Sequence, residues 1–377
     1  MQNNFFEEIH GRFGFGCMRL PLDDNKDVVI DVTKDMFDLF LEKGFNYFDT
    51  AHGYLSGKSE TALRECLTSR YPRDKYLLTN KLSSNFFEKE EDIRPLFQQQ
   101  LEACGVDYFD FYLMHAQSAS NYPHYKECRA YETAFELKKE GKIRHVGISF
   151  HDSPQMLETI LNDYPELEAV QLQFNYLDYE SPTTQSRACY DVCVKYNKPV
   201  IVMEPVKGGA LVNLPEEAEK ILTSRNNGSV ASYAVRFVAS HPQVMMILSG
   251  MNTVEMVEDN TSVMADFKPL TDDEYKAIDE VVEVYRKLNS IPCTGCRYCT
   301  DGCPMGIKIP DIFSAYNAHK MFRDWHAAQY YQEATKESSP ADCIQCGQCE
   351  GICPQQLPII ELLQKVKTEF DNLSSRN

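Results

Sequence analysis

Eight cysteines near the end of the chain carry the plainest chemistry. The stretch CTGCRYCTDGCP, from Cys293 to Pro304, and the stretch CIQCGQCEGICP, from Cys343 to Pro354, write the same C-x2-C-x2-C-x3-C-P pattern twice. Thiolates are soft ligands for iron and zinc. Three cysteines at this spacing hold three irons of one cubic cluster, and the fourth, before proline, reaches the other cluster when two are present. The pattern predicts two [4Fe-4S] clusters, one on Cys293, Cys296, Cys299 and Cys353, the other on Cys343, Cys346, Cys349 and Cys303. Zinc is the alternative, but a zinc ribbon uses two cysteines per knuckle and gives the third, the fourth and the proline nothing to do.

A different chemistry is spread through the first third of the chain. Asp49 and Tyr54 lie in FDTAHGY, Lys81 closes LLTNK, and His115 closes FYLMH. A phenol of pKa ~10 is a poor acid at neutral pH, but a neighbouring ammonium favours the phenolate and lowers that value. Lys81 could act on Tyr54 in this way, with Asp49 keeping Lys81 charged and aimed. His115 could hydrogen-bond and orient a substrate oxygen. Together they would protonate an alkoxide as it forms. Taken singly, a histidine or aspartate at the end of an apolar run is a loop cap or an ion-pair partner, so this reading requires all four to reach one place.

What brings them there is a repeating order of elements. Apolar runs of strand length stand at 13–20, 45–50, 75–80, 108–114, 143–149, 167–174, 199–204 and 244–250, with amphipathic stretches of helix length between them. Eight strand and helix pairs over about 250 residues, with strands apolar through their length, predict an α/β fold of the (β/α)8 TIM barrel type. An open doubly wound sheet is the competing arrangement, but no G-x-G-x-x-G turn joins a strand to a helix. In a barrel the carboxyl ends of the strands share one rim. Asp49, Lys81 and His115 stand at such ends, as do Ser149 in VGIS and Gln171 and Asn175 in VQLQFN.

FDTAHGYLSGKSETAL, the LLTNK ending, FYLMH and GKIRHVGIS together resemble the aldo-keto reductase family in order, spacing and placement, over roughly residues 13–280. The resemblance implies reversible carbonyl reduction with a nicotinamide cofactor, NAD or NADP, and matches Asp49, Tyr54, Lys81 and His115 to the family's tetrad. It further implies that Ser149 and Gln171 contact the nicotinamide carboxamide. Phe150 and His151 follow that serine where the family has asparagine, and Met203 falls where an aromatic ring stacks on the nicotinamide. After the eighth strand, LSGMNTVEMVEDN places Ser249, Gly250, Asp259 and Asn260 toward the cofactor's other end. Met256 stands where an arginine would meet the 2′-phosphate, and Glu255 and Glu258 add negative charge, so the segment fits NAD at least as well as NADP.

The totals bound the rest. A chain of 377 residues with 43% hydrophobic content fits a large and a small domain, here 1–285 for the barrel and 286–377 for a small, mostly helical ferredoxin-like domain. The division lies near the end of the helical stretch TDDEYKAIDEVVEVYRKL, with the composition changing at Ile291-Pro292, and His319, Trp325 and His326 in the run between the repeats read as packing around the clusters. A net charge of -18 repels phosphate backbones and anionic lipid alike, which argues against nucleic acid and membrane partners. The start of the chain lacks a secretory pattern, and a cytoplasmic location is expected. The six remaining cysteines, Cys17, Cys66, Cys104, Cys128, Cys189 and Cys193, follow no ligand pattern and read as small packing residues.

Three functions are compatible with these features. The first is a nicotinamide-dependent reductase of small-molecule carbonyls whose clusters serve structure or an auxiliary electron route. The second is an electron-transfer enzyme that joins a nicotinamide or flavin to a ferredoxin-like partner; a hydride carries two electrons and a cluster one, and no segment specifies the flavin that usually converts between them. The third is a binding or regulatory barrel without turnover, which the intact tetrad disfavours. The loops at 84–93 and 116–125 are placed to line the barrel mouth, and their aromatic residues fit either an apolar substrate or loop packing.

Overall fold

The computed structural model describes residues 5–181, 184–225, 227–288, 290–322 and 327–374. Each of the eight apolar runs forms one strand: β1 (Phe13–Gly16), β2 (Tyr47–Asp49), β3 (Leu77–Leu82), β4 (Phe109–Gln117), β5 (Ile143–Phe150), β6 (Ala169–Gln173), β7 (Val200–Met203) and β8 (Val244–Ser249). They pair in parallel in chain order and close β8 onto β1, a (β/α)8 barrel. Strands covered by helices outside and packed side chains inside have no wet face, which is why they read as continuous apolar runs. Every residue of β2, β3, β6 and β8 is buried.

The end of the barrel where the strands begin is stopped by the segment that precedes β1. Phe5, Phe6 and Ile9 pack against a core of Tyr47, Leu77, Phe111 and Met246. Phe6 meets Phe111 edge to face at 5.2 Å, and Glu8 accepts a hydrogen bond from His145 at 2.7 Å. The strands' carboxyl ends form the other rim. One irregularity stands on it. Between Met114 and Gln117 the register of β4 against β5 slips, and Ala116 takes φ 52°. An extra residue in one strand bends it and re-aims its side chains, and here the bulge falls on His115.

The chain packs as two compact units. The first, Met1–Ser181, Gln185–Pro205 and Ala234–Leu270, holds the eight strands. The second, Pro182–Thr184, Val206–Tyr233 and Thr271–Asn377, holds the cysteine repeats. In the second unit the helix Asp272–Lys287 starts at a capping box, where Glu274 N–H donates to Thr271 Oγ1 at 3.3 Å and Thr271 N–H to Glu274 Oε2 at 2.7 Å. Each repeat folds as a short helix, Tyr298–Asp301 or Gln348–Gly351, and then a long one, Ile309–Phe322 or Ile359–Ser374. Positive φ recurs at matching positions, in Gly295 and Gln345, Arg297 and Gly347, Gly306 and Gln356. The two halves share a core in which Ile309, Ile312 and Phe313 join Ile359, Leu363 and Val366. His319 pairs with Glu369 at 3.5 Å; Trp325 and His326 lie outside the described residues. Among the described residues no helix is long and apolar enough to cross a membrane.

Candidate active site and cluster sites

At the rim, the Lys81 ammonium donates to Asp49 Oδ1 at 2.6 Å, to the Thr50 carbonyl at 2.8 Å and to the Tyr54 hydroxyl at 3.2 Å. Three acceptors account for the three protons of an ammonium. Lys81 and Asp49 are both buried. Burial pulls the Lys81 pKa below the ordinary lysine value while Asp49 pushes it back up, and burial raises the Asp49 carboxyl against the opposing pull of Lys81. Gln171 Nε2 donates to the other oxygen of Asp49 at 3.2 Å. The register accounts for the meeting: Asp49 lies beside Thr79 on β3, and Lys81 is two residues further along the same face.

His115 stands across from Tyr54, their rings edge to face at 6.0 Å. Its Nδ1 lies 2.6 Å from the Ser83 hydroxyl, and Tyr125 donates to the carbonyls of Leu82 at 2.6 Å and His115 at 3.0 Å, holding β3 and β4 together. Burial, with the positive charge of Lys81 nearby, holds the His115 pKa well below the ordinary histidine value, so the imidazole is neutral. Ser149 Oγ accepts from the N–H of Ala116, at the bulge, at 3.1 Å. His151 continues the Ser149 face of β5, its N–H donating to the Gln117 carbonyl at 3.0 Å. Its Nδ1 is buried and meets no hydrogen-bond partner, and burial pushes its pKa down to about 4.

The other expected cofactor contacts are less concentrated. Met203 ends β7, half-buried, and Ser249 ends β8, accepting a bond from Asn260 Nδ2 at 3.3 Å. Asp259 and Gly250 are exposed. Glu258 is paired with Lys43 at 2.6 Å, so it is not the bare negative charge its sequence context suggests. Of the loop aromatics, Phe87, Tyr122 and Tyr125 are buried in packing and Phe86 is exposed, edge-on to His52 at 4.7 Å.

The eight tail cysteines line two solvent-open bowls. Cys293, Cys296, Cys299 and Cys353 line the first, and Cys303, Cys343, Cys346 and Cys349 the second. Each bowl takes three cysteines of one repeat and the fourth of the other, the crossed arrangement that the spacing predicts. Burial pushes the Cys299 thiol up to about 12, reinforced by Cys296, Cys293 and Cys353; burial, and then Glu350 and Cys343, push the Cys349 thiol up to about 11. Among the described residues, no three metal-binding side chains already converge on the point a single ion would occupy. Four soft donors spread around a bowl fit a cubic cluster, whose irons each take one thiolate. The N–H of Gly295, in the left-handed region, donates to Cys293 Sγ at 3.4 Å.

The sequence model of the Aldo/keto reductase family matches residues 12–283, and that of the 4Fe-4S dicluster domain matches residues 292–358. The chain belongs to the aldo/keto reductase family. Its relatives include an NADH-specific methylglyoxal reductase of Escherichia coli (strain K12), 27% identical over 263 residues, 59% of this chain and 79% of that protein. An aldo-keto reductase from Klebsiella pneumoniae in complex with NADPH superposes with a TM-score of 0.60 at 19% identity, covering 72% of this chain and 90% of that one. An aldo-keto reductase from Bacillus halodurans in its holo form gives 0.59 at 24%, covering 72% and 92%. At such identities the likeness to the solved structures is one of fold.

Within this aldo/keto reductase, two rim residues escaped the sequence reading of the site. Ser83 stands two residues past Lys81, just beyond the end of β3, and His151 two past Ser149, just beyond β5, so each continues its predecessor's face. That period was available in LLTNKLS and VGISFH. The bulge that aims His115 had no such signal.

Proposed function

We propose that the chain reduces aldehyde or ketone groups of small molecules with a nicotinamide cofactor, using Asp49, Tyr54, Lys81 and His115 as the proton-transfer set. The observation that carries this is the saturation of the Lys81 ammonium by Asp49, Thr50 and Tyr54. A reduced nicotinamide supplies a hydride when bound. The proton comes from the chain: a phenol oxygen that accepts from Lys81 keeps its own proton to donate to the substrate oxygen. Lys81 stabilises the phenolate that remains, and Asp49 keeps Lys81 in place. Neutral His115, its Nδ1 tied to Ser83, presents its other nitrogen as a donor to the same oxygen.

Ser149, Gln171 and His151 fit the carboxamide of a nicotinamide. The orphaned buried Nδ1 of His151 is a polar atom left for a ligand, since buried polar groups in folded proteins are nearly always paired. NADH fits the adenosine end better than NADPH. Met256 is exposed where a cation would hold a 2′-phosphate, and Glu255 stands in the first turn of the helix Val254–Ala265, where its carboxylate meets the positive end of the helix dipole. The name of the Escherichia coli relative, NADH-specific methylglyoxal reductase, agrees with that cofactor and with a small carbonyl substrate. The domain division at 285/286 and a cytoplasmic location belong to this reading.

A second reading is favoured by the surroundings of the second bowl. Met305, Ile344 and Ile352 are large apolar side chains left exposed, and Met305 and Ile344 line the bowl itself. Two [4Fe-4S] clusters held by the eight cysteines would then pass single electrons to or from a ferredoxin-like partner. In anaerobically prepared protein with both clusters, Tyr54→Phe is expected to lower NADH-dependent reduction of a carbonyl panel by about 10²- to 10⁴-fold. Undiminished turnover would sink the first reading. Bleaching of the clusters by NADH alone would favour the second.

A further inference from the structure

The two bowls are nearly the same size, ≈ 320 and ≈ 330 Å³ with the solvent at their mouths included, so size does not distinguish them. Their walls do. Superposing the repeats pairs Thr294 with Ile344 and Gln355 with Met305. Thr294 and Gln355, in the first bowl, are 5% and 4% exposed; Ile344 and Met305, in the second, are 61% and 39% exposed. What covers the first bowl's polar wall lies far away in sequence. Lys207, only 2% exposed, donates from Nζ to Gln355 Oε1 at 3.2 Å. Next to it, Gly208 comes so close to the first cysteine loop that an added Cβ would lie 2.4 Å from the Thr294 carbonyl oxygen. Lys207 and Gly208 both take positive φ, 49° and 63°. A buried lysine in a conformation unfavourable for any side chain is a strained residue that its surroundings must hold, and such strain collects at working sites.

The structure assigns Lys207 a role for the cluster of the first bowl: we propose that its ammonium, set behind Gln355, raises the reduction potential of that cluster and not that of the second. A [4Fe-4S] cluster gains one negative charge when it takes one electron, and a fixed cation in a dry setting stabilises the more negative form. Net charge, hydrogen bonds and solvent exposure are the levers by which a protein sets cluster potential. Arg297, which also lines the first bowl, is a weaker source, because its side chain is half-exposed and its charge is screened by water. Gly347 takes its place in the second bowl. Lys207 acts through Gln355 and is a positioning residue for charge. In the sequence it lies four residues past Met203.

The inference rests on the two-cluster reading. The test is a redox titration, followed by electron paramagnetic resonance, of anaerobic protein with its clusters, with Cys346→Ser used to identify the second bowl's signal. Lys207→Met is expected to make reduction of the first-bowl cluster about tenfold less favourable, a fall of about 59 mV for one electron, with the second unmoved. Lys207→Arg, which keeps the charge, should restore the midpoint. Equal shifts at both clusters, or no shift with iron and sulfide content intact, would overturn the proposal. Loss of iron in both the Met and the Arg variants would overturn it in favour of plain packing. Iron far short of eight atoms in the unsubstituted protein would sink the two-cluster reading, and Lys207's role with it.

Discussion

The barrel rim and the cysteine bowls are built in opposite ways. At the rim, Asp49, Lys81 and His115 come from three strands and meet because parallel register carries each to the same end. In the bowls, three of four donors come from one local turn of chain, repeated with the same positive-φ positions, and only the fourth is imported. The rim is a few buried charges whose balance is fine, and on the proposed reading it handles protons. The bowls are sets of soft donors whose number is what matters, and on the proposed reading they hold the clusters. A substitution at the rim should change rate and stability while leaving the clusters alone, and one in a bowl should do the reverse.

Lys81→Met should produce the largest effect. It removes the cation that stabilises the phenolate, for a loss of about 10²- to 10⁴-fold in turnover. It also leaves Asp49 buried without its partner, and breaking one side of a buried pair costs about 3–5 kcal/mol. Denaturant unfolding should read that loss, while iron content stays at the unsubstituted level. Cys349→Ser makes the converse test. It should remove the second bowl's cluster, seen as a fall in iron to about half, since each cubic cluster holds four irons. Carbonyl reduction with NADH should persist, and its collapse would join the two regions into one electron path.

How much of each region could be foreseen follows from the same contrast. The grouping of cysteines around the bowls has a signal in the chain, because ligand spacing is a local property and Cys303 and Cys353 announce themselves by the proline that follows. The strands were legible because a buried parallel strand is apolar throughout, and each observed strand lies on its expected run. The tetrad could be picked out from strand-end and loop residues and from the family resemblance, and Asp49 and Tyr54 were expected beside Lys81; the third acceptor, the Thr50 carbonyl, is a backbone atom whose place depends on geometry that residue types do not encode. The bulge at Ala116 and the burial of Lys207 were invisible. The first is a non-glycine residue at positive φ, and the second depends on a loop and a tail separated by about 150 residues of chain coming together, a non-local contact of the kind that local pattern does not reach.

His151 tests the rim more gently. If its orphaned nitrogen bonds the cofactor, His151→Phe should raise the KM for NADH about three- to tenfold, the worth of one hydrogen bond, with less effect on kcat. An unchanged KM would place His151 outside the cofactor's contacts.

The smallest expected effect is on stability against pH, and its sign separates His151 from His52. Burial holds the His151 pKa at about 4, below the ordinary value of ~6.5 that the unfolded chain has. As pH falls between these values the unfolded state takes up the proton first, so stability declines, by at most about 1.4 kcal/mol per pH unit for one fully buried group. His151 is only half-buried overall, so the measured slope should be shallower. His52 works the other way: its bond to Glu60 raises its pKa, so its contribution is full at low pH and is lost as pH rises through the folded value. Subtracting the pH profile of His151→Gln from that of the unsubstituted protein isolates the first term. The difference should be flat above pH 7 and grow below about pH 6.5, where the unfolded histidine begins to charge. A difference that instead grows above pH 7 would mean that His151 is protonated in the folded protein, and would remove the neutral donor or acceptor that the carboxamide contact requires.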